Sequence, residues 1–158
     1  MNAKLMCTIA LAASLGVIGC SDDDDNGMQG NGGTSATGAR VNVALTEYEV
    51  TVAPTSAPAR EITFSIENTG DEAHELVIVM TDLAVADLPA NADGSFDEEG
   101  DGIEVVDELE LIAPGATEEL SVDLDAGSYV LVCNFVVPEG DELESHFHEG
   151  MVAPFTVE

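Results

Sequence analysis

The sequence predicts an all-β domain, a β-sandwich of about seven to eight short strands. Apolar residues recur with period two after residue 40, as in Val41, Val43 and Leu45, or Ile62, Phe64 and Ile66. Clusters of Gly, Pro, Asn and Asp break these runs at short intervals, as turns between strands do. No internal repeat and no long amphipathic helical pattern competes with this reading.

Length and charge narrow the function classes. The 158 residues suit one domain of ordinary size, and the formal net charge is -29. Such an excess of carboxylates makes nucleic acid and anionic membrane surfaces poor partners and a cationic protein a natural one. Solubility in a salty environment accounts for the same charge.

Three regions are expected: a leader over 1–19, a tether over 20–39 and a folded domain over 40–158. Lys4 followed by the apolar run Leu5 to Ile18 reads as a secretory signal, too short for a membrane span. The segment Val17-Ile18-Gly19-Cys20-Ser21 resembles the bacterial lipobox. That resemblance implies lipidation at Cys20 and a chain anchored to the bacterial cell envelope, on the periplasmic side, with the outer membrane as a possible destination. Asp22 to Asp25 and the Gly-, Ser- and Thr-rich residues after it lack the apolar content to fold.

The strands follow in order. Val41 to Leu45 and Tyr48 to Val52 alternate, and Pro54 and Pro58 close them. Glu61 to Asn68 is a clear strand, Asn68-Thr69-Gly70-Asp71 a turn, and Glu75 to Met80 the next strand, with His74 just before it. Leu83 to Val106 is irregular and reads as an excursion with a helical turn at Leu83 to Asp87. Its acidic stretch, 91–101, invites calcium, but the Glu that should close an EF-hand loop counted from Asn91 and Asp93 falls on Gly100. Strands resume at Asp107 to Ile112, Glu118 to Leu124, Ser128 to Asn134 and Val152 to Val157.

The chemistry gathers near the end of the chain. The run Ser128-Tyr-Val-Leu-Val-Cys-Asn134 ends in a cysteine, and Ser145-His-Phe-His-Glu-Gly-Met-Val152 follows. Of the three cysteines, Cys7 leaves with the leader and Cys20 stands at the cleavage point, so Cys133 has no disulfide partner in an exported domain. A metal–thiolate bond explains such a thiol; an inert buried cysteine is the plain alternative. Thiolate, imidazole and thioether at one strand end form a soft set that suits copper. Another imidazole is available from His74, in Asn68-Thr-Gly-Asp-Glu-Ala-His-Glu-Leu-Val-Ile-Val79.

These segments resemble those of the cupredoxins, the small blue copper proteins, and the resemblance covers Val41 to Glu158. It implies a Greek-key sandwich with one type 1 copper. Residue by residue, His74 matches the first imidazole ligand, Cys133 the thiolate, His146 the second imidazole and Met151 the axial thioether. His148 is the alternative to His146, because family members place the second histidine either five or three positions before the methionine. If Ser145 to His148 is extended, the two rings point to opposite sides and only one reaches the metal.

Two features depart from the family pattern. Twelve residues, Asn134 to Ser145, separate Cys133 from His146, where the family loop is short. An out-and-back turn at Pro138-Glu139-Gly140-Asp141 accounts for the extra length. Glu75 follows His74 where many members carry Asn, so a carboxylate is expected to act on the site and lower its potential.

The resemblance implies one-electron transfer rather than an enzyme. Val132 and Asn134 flank Cys133, where multicopper oxidases carry histidines and nitrite reductases a histidine before the cysteine. A binuclear centre would need a second folded cysteine. Copper storage or delivery is the alternative, and a metal-free β-sandwich lipoprotein the bland one. The implied port is the exposed edge of the C-terminal histidine amid Phe135, Val136, Val137 and Phe147. The expected partner is a cationic redox protein such as a basic cytochrome.

Overall fold

Alternation along the chain sorts side chains onto two faces, and the apolar faces meet as a sandwich. The computed structural model describes residues 38–140 and 142–158. The leader, Cys7, Cys20 and almost all of the tether lie outside them.

One sheet holds β1 (Ala39–Thr46), β2 (Glu49–Ala53), β4 (Arg60–Asn68) and β7 (Thr117–Leu124), in the order β2-β1-β4-β7. The other holds β3 (Ser56–Ala57), β5 (His74–Met80), β6 (Glu104–Ile112), β8 (Gly127–Val132) and β11 (Val152–Val157), in the order β3-β11-β8-β5-β6. The chain passes between sheets at β2 to β3, β3 to β4, β4 to β5, β6 to β7 and β7 to β8, and β1 runs parallel to β4 with Val41 opposite Phe64. The Greek-key sandwich predicted from the sequence is the fold observed.

The eight longer strands are those expected. Three short ones were not: β3, and the hairpin of β9 (Val136–Glu139) and β10 (Glu142–Ser145) inside the loop between Cys133 and His146. That hairpin turns around Gly140, within the out-and-back segment the sequence suggested. Strand β6 starts at Glu104, ahead of the expected Asp107, because Glu104 pairs with Met80. Strand β8 ends at Val132, short of the expected Asn134. The Asn134 amide leaves the ladder to accept the Phe96 N–H at 2.6 Å and to donate to the Phe96 carbonyl at 3.1 Å.

The core lies between the sheets. Val41, Val43, Leu45, Ile62, Phe64 and Ile66 face Leu76, Ile78, Leu131 and Phe155, all buried. Phe64 and Phe155 meet edge to face across the gap, with centroids 5.5 Å apart. Deleting one such ring from a packed core costs about 3–5 kcal/mol.

The excursion after β5 covers the outer face of the second sheet. Phe96, with Leu88 and Ile103, packs on Val77, Val79, Val130 and Val132. Strands β5 and β8 are therefore buried on both faces, which their unbroken apolar runs, Leu76 to Val79 and Tyr129 to Val132, signal. The helical turn is a 3-10 helix at Val85–Asp87. Asp93 and Asp97 accept from the N–H groups of Ser95 and Glu99, so these carboxylates cap their own turns.

Candidate metal centre

Four segments converge at one end of the sandwich, and each is fixed by backbone hydrogen bonds. His74 opens β5 opposite Ile112 of β6, beside a register shift. The turn before it is braced by Asn68, whose side chain is fully buried. Its Nδ2 donates to the carbonyls of Glu72 at 2.7 Å and Ile112 at 2.8 Å, and its Oδ1 accepts the Gly70 N–H at 2.9 Å.

Cys133 is the first residue past β8, and its N–H donates to the Met151 carbonyl at 3.0 Å. His146 follows β10; its N–H donates to the Phe135 carbonyl and its carbonyl accepts the Met151 N–H, each at 3.0 Å. Gly150, at φ +107, makes the bend between them, a conformation open to glycine and strained for other residues. His74, Cys133, His146 and Met151 are all fully buried.

Three donor atoms face one another. His74 Nδ1 lies 3.0 Å from His146 Nδ1, and Cys133 Sγ lies 3.6 Å from the former and 3.5 Å from the latter. A triangle with these sides has a circumradius of about 2 Å, the length of a bond from a first-row transition metal to imidazole nitrogen. Burial pushes the Cys133 thiol up to about 11. Without a cation to take its charge, that thiol stays protonated at neutral pH. Burial, with the neighbouring His146, holds His74 below the usual imidazole range and keeps it a neutral lone-pair donor. Two imidazoles and a buried thiol suit a soft cation, and this donor set fits a single type 1 copper centre.

Ser145 to Gly150 forms a tight turn and is not the extended segment considered above, because the Glu149 and Gly150 N–H groups bond back to Ser145 and Phe147. The turn still separates the two histidines. His148 is exposed and lines a surface groove with Asn91, Asp93 and Glu149, away from Cys133. The structure thus brings together His74, Cys133 and His146, sets Met151 beside them through the backbone, and leaves His148 outside.

The expected exposed histidine port is not what the fold builds. His146 is fully buried, and its Nε2 lies 3.2 Å from the Glu72 carboxylate. Folding the Glu72 turn over the ring closes that edge. Glu75 acts on the thiol, its charge adding to the burial that raises Cys133. Its backbone N–H donates to Cys133 Sγ at 3.4 Å, while its carboxyl, raised to about 7, is desolvated and repelled by Glu98, Glu108 and Glu110.

The carboxylates beside the imidazoles are Glu72 and Glu47, the latter 3.8 Å from His74 Nε2. Nothing in the sequence singled them out, since they belong to two turns that only the fold joins. Asn68 carried a signal, its Asn-Thr-Gly-Asp turn, but its burial did not show.

A mixed two-sheet sandwich with imidazole, thiol and imidazole gathered at one end has the fold of the cupredoxins. Comparison with solved structures shows this directly. Auracyanin from the photosynthetic bacterium Roseiflexus castenholzii, solved in its dithionite-reduced form, matches 77% of this chain and 98% of its own, at 20% identity and a TM-score of 0.52. Reduced rusticyanin matches 77% of this chain and 81% of its own, at 18% identity and a TM-score of 0.50. No protein-family profile matches the sequence, and no curated protein does.

Proposed function

We propose that this protein is an electron carrier with one type 1 copper centre, which would be held by His74 Nδ1, Cys133 Sγ and His146 Nδ1, with Met151 offering a weak thioether donor. The observation that carries this is the triangle of three fully buried donor atoms, none more than 3.6 Å from another. Copper bound there supplies one-electron chemistry between its Cu(II) and Cu(I) states.

The protein's part is rigidity. Backbone bonds link Phe135 to His146, His146 to Met151 and Met151 to Cys133, so the donors move together or not at all. Burial excludes water, and the Glu75 N–H gives the thiolate a polar partner. Donors with no exposed edge favour a metal that stays over one that is handed on, so the carrier reading stands above storage or delivery. Val132 and Asn134 beside Cys133 supply no imidazole to wire a second metal cluster, which favours a carrier over an oxidase.

The acidic surface favours a cationic redox partner, and the lipobox-like segment a lipid anchor at Cys20 in the bacterial cell envelope. The deciding experiment is the visible absorption spectrum of the copper-loaded domain. An intense thiolate-to-copper band that disappears in Cys133→Ser is expected, and copper uptake without such a band refutes the proposal.

A further inference from the structure

Both imidazoles of the cluster present their second nitrogen to a carboxylate. The Nδ1 atoms point at each other and at Cys133 Sγ, so a metal-bound ring carries its proton on Nε2. His146 Nε2 has Glu72 Oε2 at 3.2 Å. Among the described residues, His74 Nε2 is the one buried side-chain nitrogen or oxygen with no hydrogen-bond partner, and Glu47 Oε1 stands 3.8 Å away.

Neither carboxylate is placed by chance. Glu47 Oε1 accepts the backbone N–H groups of Asp71 at 2.7 Å and Glu72 at 2.9 Å, which lock it over the His74 turn. Gly70 makes room for it: a Cβ at that position would lie 2.4 Å from Glu47 Oε1. Glu72 stands at the end of the same turn, its carbonyl tied to Asn68. A third carboxylate, Glu144, shares the neighbourhood of Glu72 and His146, but it accepts the Tyr48 hydroxyl at 3.0 Å. Tyr48 itself sits at φ 69, a left-handed conformation unfavourable to a bulky side chain.

We propose that Glu47 and Glu72 are positioning residues for the two histidines, Glu72 accepting the His146 Nε2–H and Glu47 facing the His74 Nε2 at 3.8 Å as a charge partner, and that together they bias the centre toward the oxidised metal. The inference rests on the copper reading above. A carboxylate on the far nitrogen fixes the tautomer and makes the ring a stronger donor. Its negative charge close to the ligand ring also favours the dipositive ion over the monopositive one. The turn from Asn68 to His74 therefore carries a ligand and both elements that tune the ligand pair: Glu72 directly, and Glu47 through its backbone N–H groups.

The test compares the copper-loaded wild type with Glu72→Gln and Glu47→Gln. Both substitutions keep the side-chain shape, and glutamine at 47 retains an oxygen for the two N–H groups. Loss of such a partner typically changes metal affinity about 10–100-fold. If the loss falls on the oxidised metal, a tenfold change in preference raises the one-electron midpoint potential by about 59 mV. Each variant should show this rise while keeping the thiolate band and the wild-type circular dichroism. In the Cu(I) protein, nitrogen NMR should show a slowly exchanging Nε2–H on the His146 ring, and its shift should move in Glu72→Gln, where a neutral amide oxygen replaces the carboxylate.

An unchanged potential in both variants, with the band intact, overturns the inference and leaves the copper reading standing. No thiolate band in the wild type overturns both. Should Glu47→Gln fail to fold, Glu72→Gln carries the test, since the Glu72 side chain is 43% exposed and binds no backbone N–H among the described residues.

Discussion

Replacing Asn68 with alanine should cost this domain about as much as deleting one of its buried core rings. The side chain is fully buried and makes three hydrogen bonds, to the Glu72 and Ile112 carbonyls and from the Gly70 N–H. Alanine leaves all three backbone groups without that partner. A buried group left unpaired costs about 1–3 kcal/mol. The Ile112 contact is buried and bears this in full, while the other two lie nearer the surface and recover part of it from water. The expected loss is about 3–5 kcal/mol, a large share of the roughly 5–15 kcal/mol that stabilises a domain.

Urea unfolding of the metal-free protein at pH 7, followed by circular dichroism, measures it. An Asn68→Asp companion checks the mechanism. Aspartate keeps the acceptor for Gly70, but its second oxygen faces two carbonyls and must hold a proton to bond either. Its folded pKa is then raised above the unfolded value of about 3.9. Relative to wild type, Asn68→Asp should be most stable below that value and lose stability as pH rises through the raised folded pKa. A loss under about 1 kcal/mol for Asn68→Ala, or an Asn68→Asp variant that gains stability as pH rises, would refute the bracing role assigned here.

Other outcomes follow from the same geometry. His146→Gly should open a hole at the copper that added imidazole fills, with a shifted spectrum, and His148→Gly should leave the spectrum nearly unchanged; a band lost only in the latter reverses the ligand assignment. Cys20→Ala should release the protein from the membrane fraction, and identical solubility of wild type and variant would dismiss the lipid anchor. Reduction of a basic cytochrome should slow as salt shortens the screening length to about 10 Å or less, whereas a flat dependence would leave solubility as the account of the charge.

The sequence by itself determined the sandwich, because a strand's two faces alternate residue by residue and the turns between strands are written in Gly, Pro, Asn and Asp. It also carried the donor set: one cysteine and three histidines fall in three short segments, and a soft cation needs those residue types. It left open which of His146 and His148 faces the cluster. Two positions apart on a loop, their directions depend on a turn closed by Gly150 and by bonds to Phe135 and Ser145. Tertiary structure alone decided the rest. Leu83 to Val106 read as an irregular excursion, yet Phe96 seals the outer face of the second sheet and grips Asn134 beside the thiol. Glu47 and Glu72 looked like two more carboxylates in an acidic chain. What sets them apart is a distance across the fold, from the β1–β2 turn and the β4–β5 turn to a pair of buried imidazoles, and no local pattern of residues encodes a distance of that kind.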